Sequence, residues 1–208
     1  MDPDLLAIWS RGWALTRGAA APVEDEGGWR IEVGQPDHLR RFVFARAGQA
    51  VTARAARVLE PLVFLKVCDP EAEVRALLDS RWRVQRTGHV MRLDRPMATR
   101  AWRPDYVAAL TVEDGVTHIR LRTGSGAEAA RGRAVKIEDA VIFDRIAVEP
   151  EHRRRGLGGA VMGALQEAVA GPDLTLGLLV ATDEGRALYE TLGWRVLSDY
   201  VTAQLPAD

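Results

Sequence analysis

Residues 141–171 read VIFDRIAVEPEHRRRGLGGAVMGALQEAVAG. Val141, Ile142, Phe143, Ile146 and Val148 form a short apolar run, which predicts a strand. Glu149 and Pro150 end it, because proline has no N–H to give to a ladder. A basic, glycine-rich turn follows, Arg153-Arg154-Arg155-Gly156-Leu157-Gly158-Gly159. Val161, Ala164, Leu165, Ala168 and Val169 then recur at helical spacing to about Ala170, and Gly171-Pro172 stops the helix. A chain that turns through glycines into a helix N-terminus directs unpaired backbone N–H groups and a positive dipole end at one spot. That is an anion site, and a cofactor's pyrophosphate suits it.

The kind of turn narrows the choice. A P-loop requires G-x-x-x-x-G-K-[ST], and no Lys-Ser or Lys-Thr stands here. A dinucleotide fingerprint requires a third glycine where Val161 stands, and it does not call for three arginines. What is present is R-x-x-G-x-G at Arg153, Gly156 and Gly158. It resembles the acyl-CoA pyrophosphate loop of the GNAT family of N-acetyltransferases. A second motif lies one strand further on. Family members resemble A-x-x-L-Y-x-x-x-G-[FW] in their final helix, and this chain reads Gly185-Arg186-Ala187-Leu188-Tyr189-Glu190-Thr191-Leu192-Gly193-Trp194. The chain departs from the family at Thr182, where Asn is frequent, and at Gly185, where Ala is. The resemblance covers roughly residues 106–205.

The resemblance implies roles residue by residue. Arg153, Arg154 and Arg155 would neutralise phosphates, while Gly156, Gly158 and Gly159 let the backbone approach and Leu157 packs under the turn. The backbone of Ile146, Ala147 and Val148 would pair with the pantetheine amides as an added strand does, and the same region would supply an N–H to the oxyanion. Thr182 would touch the cofactor through its hydroxyl. Tyr189 stands at the position of the family's general acid. Asp144 alternates onto one face with Ile142 and Ile146 and resembles the base of some members; a structural partnership with Arg145 or Arg120 is the other reading of it. His152, beside the loop, reads as a surface residue.

Composition excludes other classes. The chain has 208 residues, 47% of them hydrophobic and 27% charged, which suits a globular protein with a real core. With 28 basic and 29 acidic residues the net charge is −1, so nothing points to nucleic acid or a membrane surface as partner. Cys68 is the single cysteine, which rules out an internal disulfide framework and fits a reducing compartment. No apolar span of membrane length and no basic signal-peptide start is present, so we expect a cytoplasmic protein. His38, His89, His118 and His152 have no metal spacing with each other or with Cys68, and Ser125 lies in T-G-S-G rather than in a hydrolase elbow. No metal is expected.

Outward from the loop, the patterns predict a helix over residues 4–15 with Leu5, Ile8, Trp9 and Trp13 on one side, and a loop over 17–28. Strands follow at 29–33 and 39–45, a helix at 49–59 and a strand at 62–68. Asp69-Pro70 caps a helix to about Arg81, and a strand over 82–93 is broken at Gly88. Strands are expected at 106–112, 117–123 and 128–137, with hairpin turns at 113–115 and 124–126. The chain closes with a strand at 174–181, a helix capped by Thr182 or Asp183, and a strand at 194–205. LVFLKVCDPEAEVRALLDSRWRVQRTGHVMRL and LGLLVATDEGRALYETLGWRVLSDYVTAQL share a strand–helix–strand plan, with Trp82-Arg83-Val84 aligned to Trp194-Arg195-Val196.

The expectation is therefore an α/β fold: a mixed, mostly antiparallel sheet flanked by helices, of GNAT type, with two related lobes in tandem. A degenerate lobe would span 1–103 and the acetyltransferase core 104–208, divided in the irregular segment 94–104. The function implied is transfer of an acetyl group from acetyl-CoA to a small-molecule or peptide amine, by a monomer or homodimer. The alternative is a non-catalytic acyl-CoA-binding sensor or scaffold.

Overall fold

The computed structural model describes residues 1–98 and 102–206. It consists of two compact units. One takes Met1–Met91, Val180–Asp183 and the chain from Val196 on; the other takes Arg92–Leu179 and Glu184–Arg195.

The first unit opens with α1 (Pro3–Arg17), capped by Asp2, whose carboxylate accepts the N–H groups of Asp4 and Leu5 at 2.9 and 3.2 Å. Gly18 ends it in the left-handed conformation, with φ 63°. Trp9 and Trp13 are buried as the spacing predicts, but Leu6 joins them, while Leu5 and Ile8 stay half-buried. The segment expected to be a loop contains a short strand, β1 (Val23–Asp25), paired with β2 (Gly28–Gln35). β3 (His38–Phe44), α2 (Gln49–Arg57) and β4 (Val63–Val67) form a parallel pair with a helical crossover. α3 (Glu71–Ala76) is much shorter than expected and lacks a side-chain cap. Asp69 is used elsewhere, accepting the Ala47 N–H at 2.8 Å, and Asp79 takes the Arg81 N–H at 3.0 Å, a local turn that competes with helix. β5 (Arg83–Leu93) runs unbroken through Gly88. A Cβ there would fall 2.5 Å from the Ala181 carbonyl oxygen, so this glycine permits a close approach instead of a break.

The last strand, β11 (Arg195–Gln204), lies antiparallel against β4, with Val201 opposite Val67 and Gln204 opposite Phe64. The strand order in this unit is β1-β2-β3-β4-β11-β5. Phe42, Phe44, Val51, Leu65, Val67, Val74, Trp82 and Val201 fill its core. The pairing of β11 with β4 explains why the contacts divide the chain differently from a cut in sequence near residue 104. Part of the expected cut, residues 99–101, lies outside the described residues.

The second unit is a meander of β6 (Tyr106–Glu113), β7 (Val116–Thr123), β8 (Glu128–Ile137) and β9 (Ala140–Val148). Asp114 and Gly115, at φ 50° and 77°, make the tight turn between β6 and β7. α4 (Leu157–Val169) crosses over to β10 (Leu176–Ala181), which lies parallel to β9, and α5 (Asp183–Thr191) follows. The order is β10-β9-β8-β7-β6. Each unit thus holds a parallel pair joined by a helix, β3-α2-β4 in one and β9-α4-β10 in the other. Trp82 and Trp194, matched in the sequence echo, are both buried, at 5% and 3% exposure. The fold is the expected mixed, mostly antiparallel sheet with flanking helices.

Candidate functional site

β9 and β10 pair only at Ala140 with Leu176, Val141 with Gly177 and Ile142 with Leu178. Beyond Ile142, β9 keeps β8 on one edge and, among the described residues, no strand on the other. A bulge lies just past the parting. Asp144 faces Arg133 and Ala147 faces Arg131, so Gly132 alone opposes Arg145 and Ile146. Arg145 takes φ 53° to make this fit. Such a bulge bends and twists its strand.

The bulge corrects one expectation. A Cβ on Gly132 would meet Ile146 Cδ1, Val161 Cγ1 and Leu165 Cδ1 at 2.6, 2.7 and 3.0 Å, so Ile146 lies on the face that α4 covers. Asp144 pairs with Arg133, the neighbour of Gly132, and therefore lies on the opposite face with Ile142. Asp144 and Ile146 do not share a face, because the extra residue breaks the alternation.

β9 leads into the arginine loop. Glu149 N–H donates to the Ala129 carbonyl at 2.9 Å, and residues Pro150–His152 make one 3-10 turn. Arg153, Arg154, Arg155 and Gly156 are exposed; Leu157, Gly158 and Gly159 are buried. Arg154 at φ 60° and Gly156 at φ 80° are both left-handed, a conformation that a non-glycine residue holds only where its surroundings insist. Gly156 stands at the N-cap of α4 with no side chain capping the helix. The first N–H groups of α4 and its positive dipole end therefore sit among three arginines. Arg153 lies 3.9 Å from the Glu184 carboxylate, and its Nε donates to the Val148 carbonyl at 3.4 Å. Arg155 donates to the Tyr106 hydroxyl at 3.1 Å, and His152, half-buried, meets that hydroxyl through Nδ1 at 3.0 Å. His152 is thus a packed partner of Tyr106 rather than a free surface residue.

Gly158 has a packing reason beyond the approach of a ligand. A Cβ there would lie 2.7 Å from Leu188 Cδ2 and 3.7 Å from Val148 Cγ2. The contact sets α4 directly against α5, beside Tyr189. Tyr189 is 7% exposed and packs at 6.1 Å on the ring of Trp194, which meets Phe143 edge-on at 5.5 Å. Burial raises the Tyr189 phenol well above its ordinary pKa, and the charge of Asp144 adds to the rise. The phenol stays a neutral donor throughout the physiological range.

The structure gathers the loop, the bulged strand and Tyr189 in one unit. Thr182 belongs to the other unit, where it is exposed. Its neighbour Asp183 is held by Arg86 at 2.7 Å and by His89 Nε2 at 2.8 Å. These two partners, Arg86 foremost, pull the Asp183 carboxyl well below the usual carboxylate range. Sequence reasoning missed this cluster and the Tyr106 cluster; each joins two residues three apart, Arg86 with His89 and His152 with Arg155, to a third, Asp183 or Tyr106, that lies tens of residues away.

Comparison with known proteins fits this geometry. Residues 109–196 match an acetyltransferase (GNAT) domain. No curated protein sequence matches the chain. A GCN5-related N-acetyltransferase from Kribbella flavida is similar in structure, with a TM-score of 0.66 at 14% identity over 98% of this chain and 96% of that one. A GNAT-family protein from Novosphingobium aromaticivorans gives 0.60 at 17% over the whole of both chains. A tandem GNAT protein from the clavulanic acid biosynthesis pathway gives 0.51 at 16%, over 70% of this chain and 65% of that one. The arginine loop, the parted strands and the tyrosine helix all fall within residues 109–196, the segment that is similar to the acetyltransferase (GNAT) domain, and the solved structures share the fold.

Proposed function

We propose that the chain is an N-acetyltransferase that passes an acetyl group from acetyl-CoA directly to an amine. One observation carries the reading: among the described residues no strand pairs with the second edge of β9 from Arg145 to Val148, and the chain then turns through three arginines into a helix N-terminus with no side-chain cap. The free edge suits the amides of a pantetheine arm, paired along Ile146, Ala147 and Val148. The helix end, with Arg153 and Arg154 before it, suits its pyrophosphate.

In the reaction the amine nitrogen attacks the thioester carbon. A C–N bond forms, the C–S bond breaks, the amine gives up a proton and the departing sulfur takes one. A backbone N–H of the bulged strand would hold the oxyanion. Tyr189, a buried phenol that keeps its proton, would donate to the sulfur. Asp144, on the face of β9 away from α4, is the carboxylate we offer as base. A covalent enzyme intermediate is disfavoured, because Cys68 is fully buried and burial pushes its thiol up to about 12.

We place the reaction in the cytoplasm on the strength of the single, unbridged Cys68. Among the described residues no helix is long and apolar enough to cross a membrane. The paired strand–helix–strand plans and buried tryptophans support reading 1–103 as a degenerate copy of the 104–208 core. A small-molecule or peptide amine is the acceptor class we expect, and a monomer or homodimer the active form.

Thermal unfolding with acetyl-CoA, CoA, NAD and ATP tests the reading, on the wild type and on an Arg153→Ala/Arg154→Ala variant. These arginines are exposed, so the variant leaves the packing of Gly158 on Leu188 intact. Binding to the native state raises the midpoint by mass action. A rise with acetyl-CoA and CoA that shrinks in the variant supports the assignment, and release of free CoA thiol against an amine panel then tests transfer. A larger rise with NAD or ATP refutes it. Binding without transfer to any amine would favour the non-catalytic acyl-CoA-binding module.

A further inference from the structure

We infer that Tyr106 anchors the arginine loop and that Arg155 is a positioning residue rather than a phosphate ligand. Tyr106 opens β6, opposite Thr123 of β7, and is 4% exposed. Its N–H donates to the Arg103 carbonyl at 3.1 Å, so the ring starts from a fixed backbone. Its hydroxyl lies 3.1 Å from Arg155 Nη1 and 3.0 Å from His152 Nδ1, and the His152 ring stands edge-on to it at 5.5 Å and 83°.

A guanidinium can only donate, so the phenol oxygen accepts from Arg155. The same hydroxyl shares a second hydrogen bond with His152 Nδ1, whose direction follows the imidazole tautomer. One buried hydroxyl therefore ties residue 152 to residue 155. The two residues between them, Arg153 and Arg154, are forced outward as a tight excursion, and the left-handed backbone of Arg154 is its apex. A strained non-glycine conformation persists only where neighbours over-determine it, and this double tether does so. The consequence is a division of labour. Arg155 and His152 set the shape of the loop, while Arg153, Arg154 and the first amides of α4 are left to face an anion.

The anchoring claim concerns the free protein; its effect on ligand rests on the acyl-CoA reading above. The test uses the full chain as wild type, Tyr106→Phe, Arg155→Ala and the double variant. Phenylalanine keeps the buried ring and removes only the hydroxyl. Amide hydrogen exchange over residues 153–159 in the free protein should quicken in Tyr106→Phe. CoA affinity by calorimetry should fall about 5- to 10-fold in either single variant, within the range of one ordinary lost hydrogen bond, and no further in the double. Affinity for pantetheine, which has no pyrophosphate, should not change between wild type and variants. Unchanged exchange in Tyr106→Phe overturns the anchor. A loss of CoA affinity in Arg155→Ala with none in Tyr106→Phe makes Arg155 a phosphate ligand and overturns the division of labour, as do additive losses. If the wild type binds no CoA, the acyl-CoA reading fails, and the exchange result still decides the anchor.

Discussion

Replacing Gly132 by alanine tests the bulge and the packing that depends on it. The new methyl would lie 2.6 Å from Ile146 Cδ1, 2.7 Å from Val161 Cγ1 and 3.0 Å from Leu165 Cδ1. Carbon atoms pack comfortably at about 3.5–4.0 Å, so each of the three must withdraw by roughly 0.5–1 Å. They converge from β9 and from two turns of α4, so no common shift relieves all three. Overpacking of this kind costs about 1–3 kcal/mol, and restricting the unfolded chain returns about 0.4–1 kcal/mol. The net expectation is a loss of about 1.3 kcal/mol, or roughly 3–5 °C in melting temperature for a chain of this size. Gly124→Ala is the control, since nothing lies within 4 Å of its position. It should change stability by less than about 0.5 kcal/mol. Calorimetric or circular-dichroism melting of both variants decides the matter. A Gly132→Ala protein that melts with the wild type, or a Gly124→Ala protein that loses as much, would refute the account of the bulge. Because Ile146 must move, acetyl-CoA affinity should weaken in Gly132→Ala and not in the control.

Two further outcomes are expected. Lys66 donates to Thr202 Oγ1 at 2.7 Å beside the rings of Phe64 and Tyr200, and burial, helped by Arg41 and Arg17, lowers its pKa to about 7. Below pH 7 the amine is charged in both folded and unfolded states and its burial penalty is fully present; from there to about pH 10.5 only the unfolded state holds the proton, so stability rises with pH. Lys66→Met should therefore stabilise by about 1–3 kcal/mol at pH 6, with the gain fading towards pH 10, as read from denaturant midpoints; an equal gain at both pH values would count against it. Tyr189→Phe should lower turnover by about 100-fold with acetyl-CoA affinity unchanged, and an unaltered rate would remove Tyr189 from the chemistry.

The arginine loop was legible in the chain because its signals are local. The strand period, the arginine and glycine spacing and the helical repeat of Val161 and Leu165 all act within a few residues of one another. The motif around Leu188 and Tyr189 is local in the same way. The side of β9 on which Ile146 lies was not legible, because the bulge is fixed by Gly132 on the neighbouring strand. Gly88 read as a strand breaker and proved to be a close approach to the Ala181 carbonyl, a partner 93 residues away in the chain that no periodicity reports. α3 stopped short because Asp69 and Asp79 spent their carboxylates on other N–H groups.

Pattern alone carried the kinds of element, most of their order and the arginine-glycine turn into α4, since a hydrophobic period or a capping residue needs only its own turn or strand to act. Which strands became neighbours was settled by folding. β11 reached back to β4, β9 parted from β10 after Ile142, and Tyr106 closed on Arg155. Each of these joins segments far apart in sequence. They form because buried N–H, carbonyl and hydroxyl groups must find partners and apolar faces must be covered, and only the assembled chain decides which group meets which.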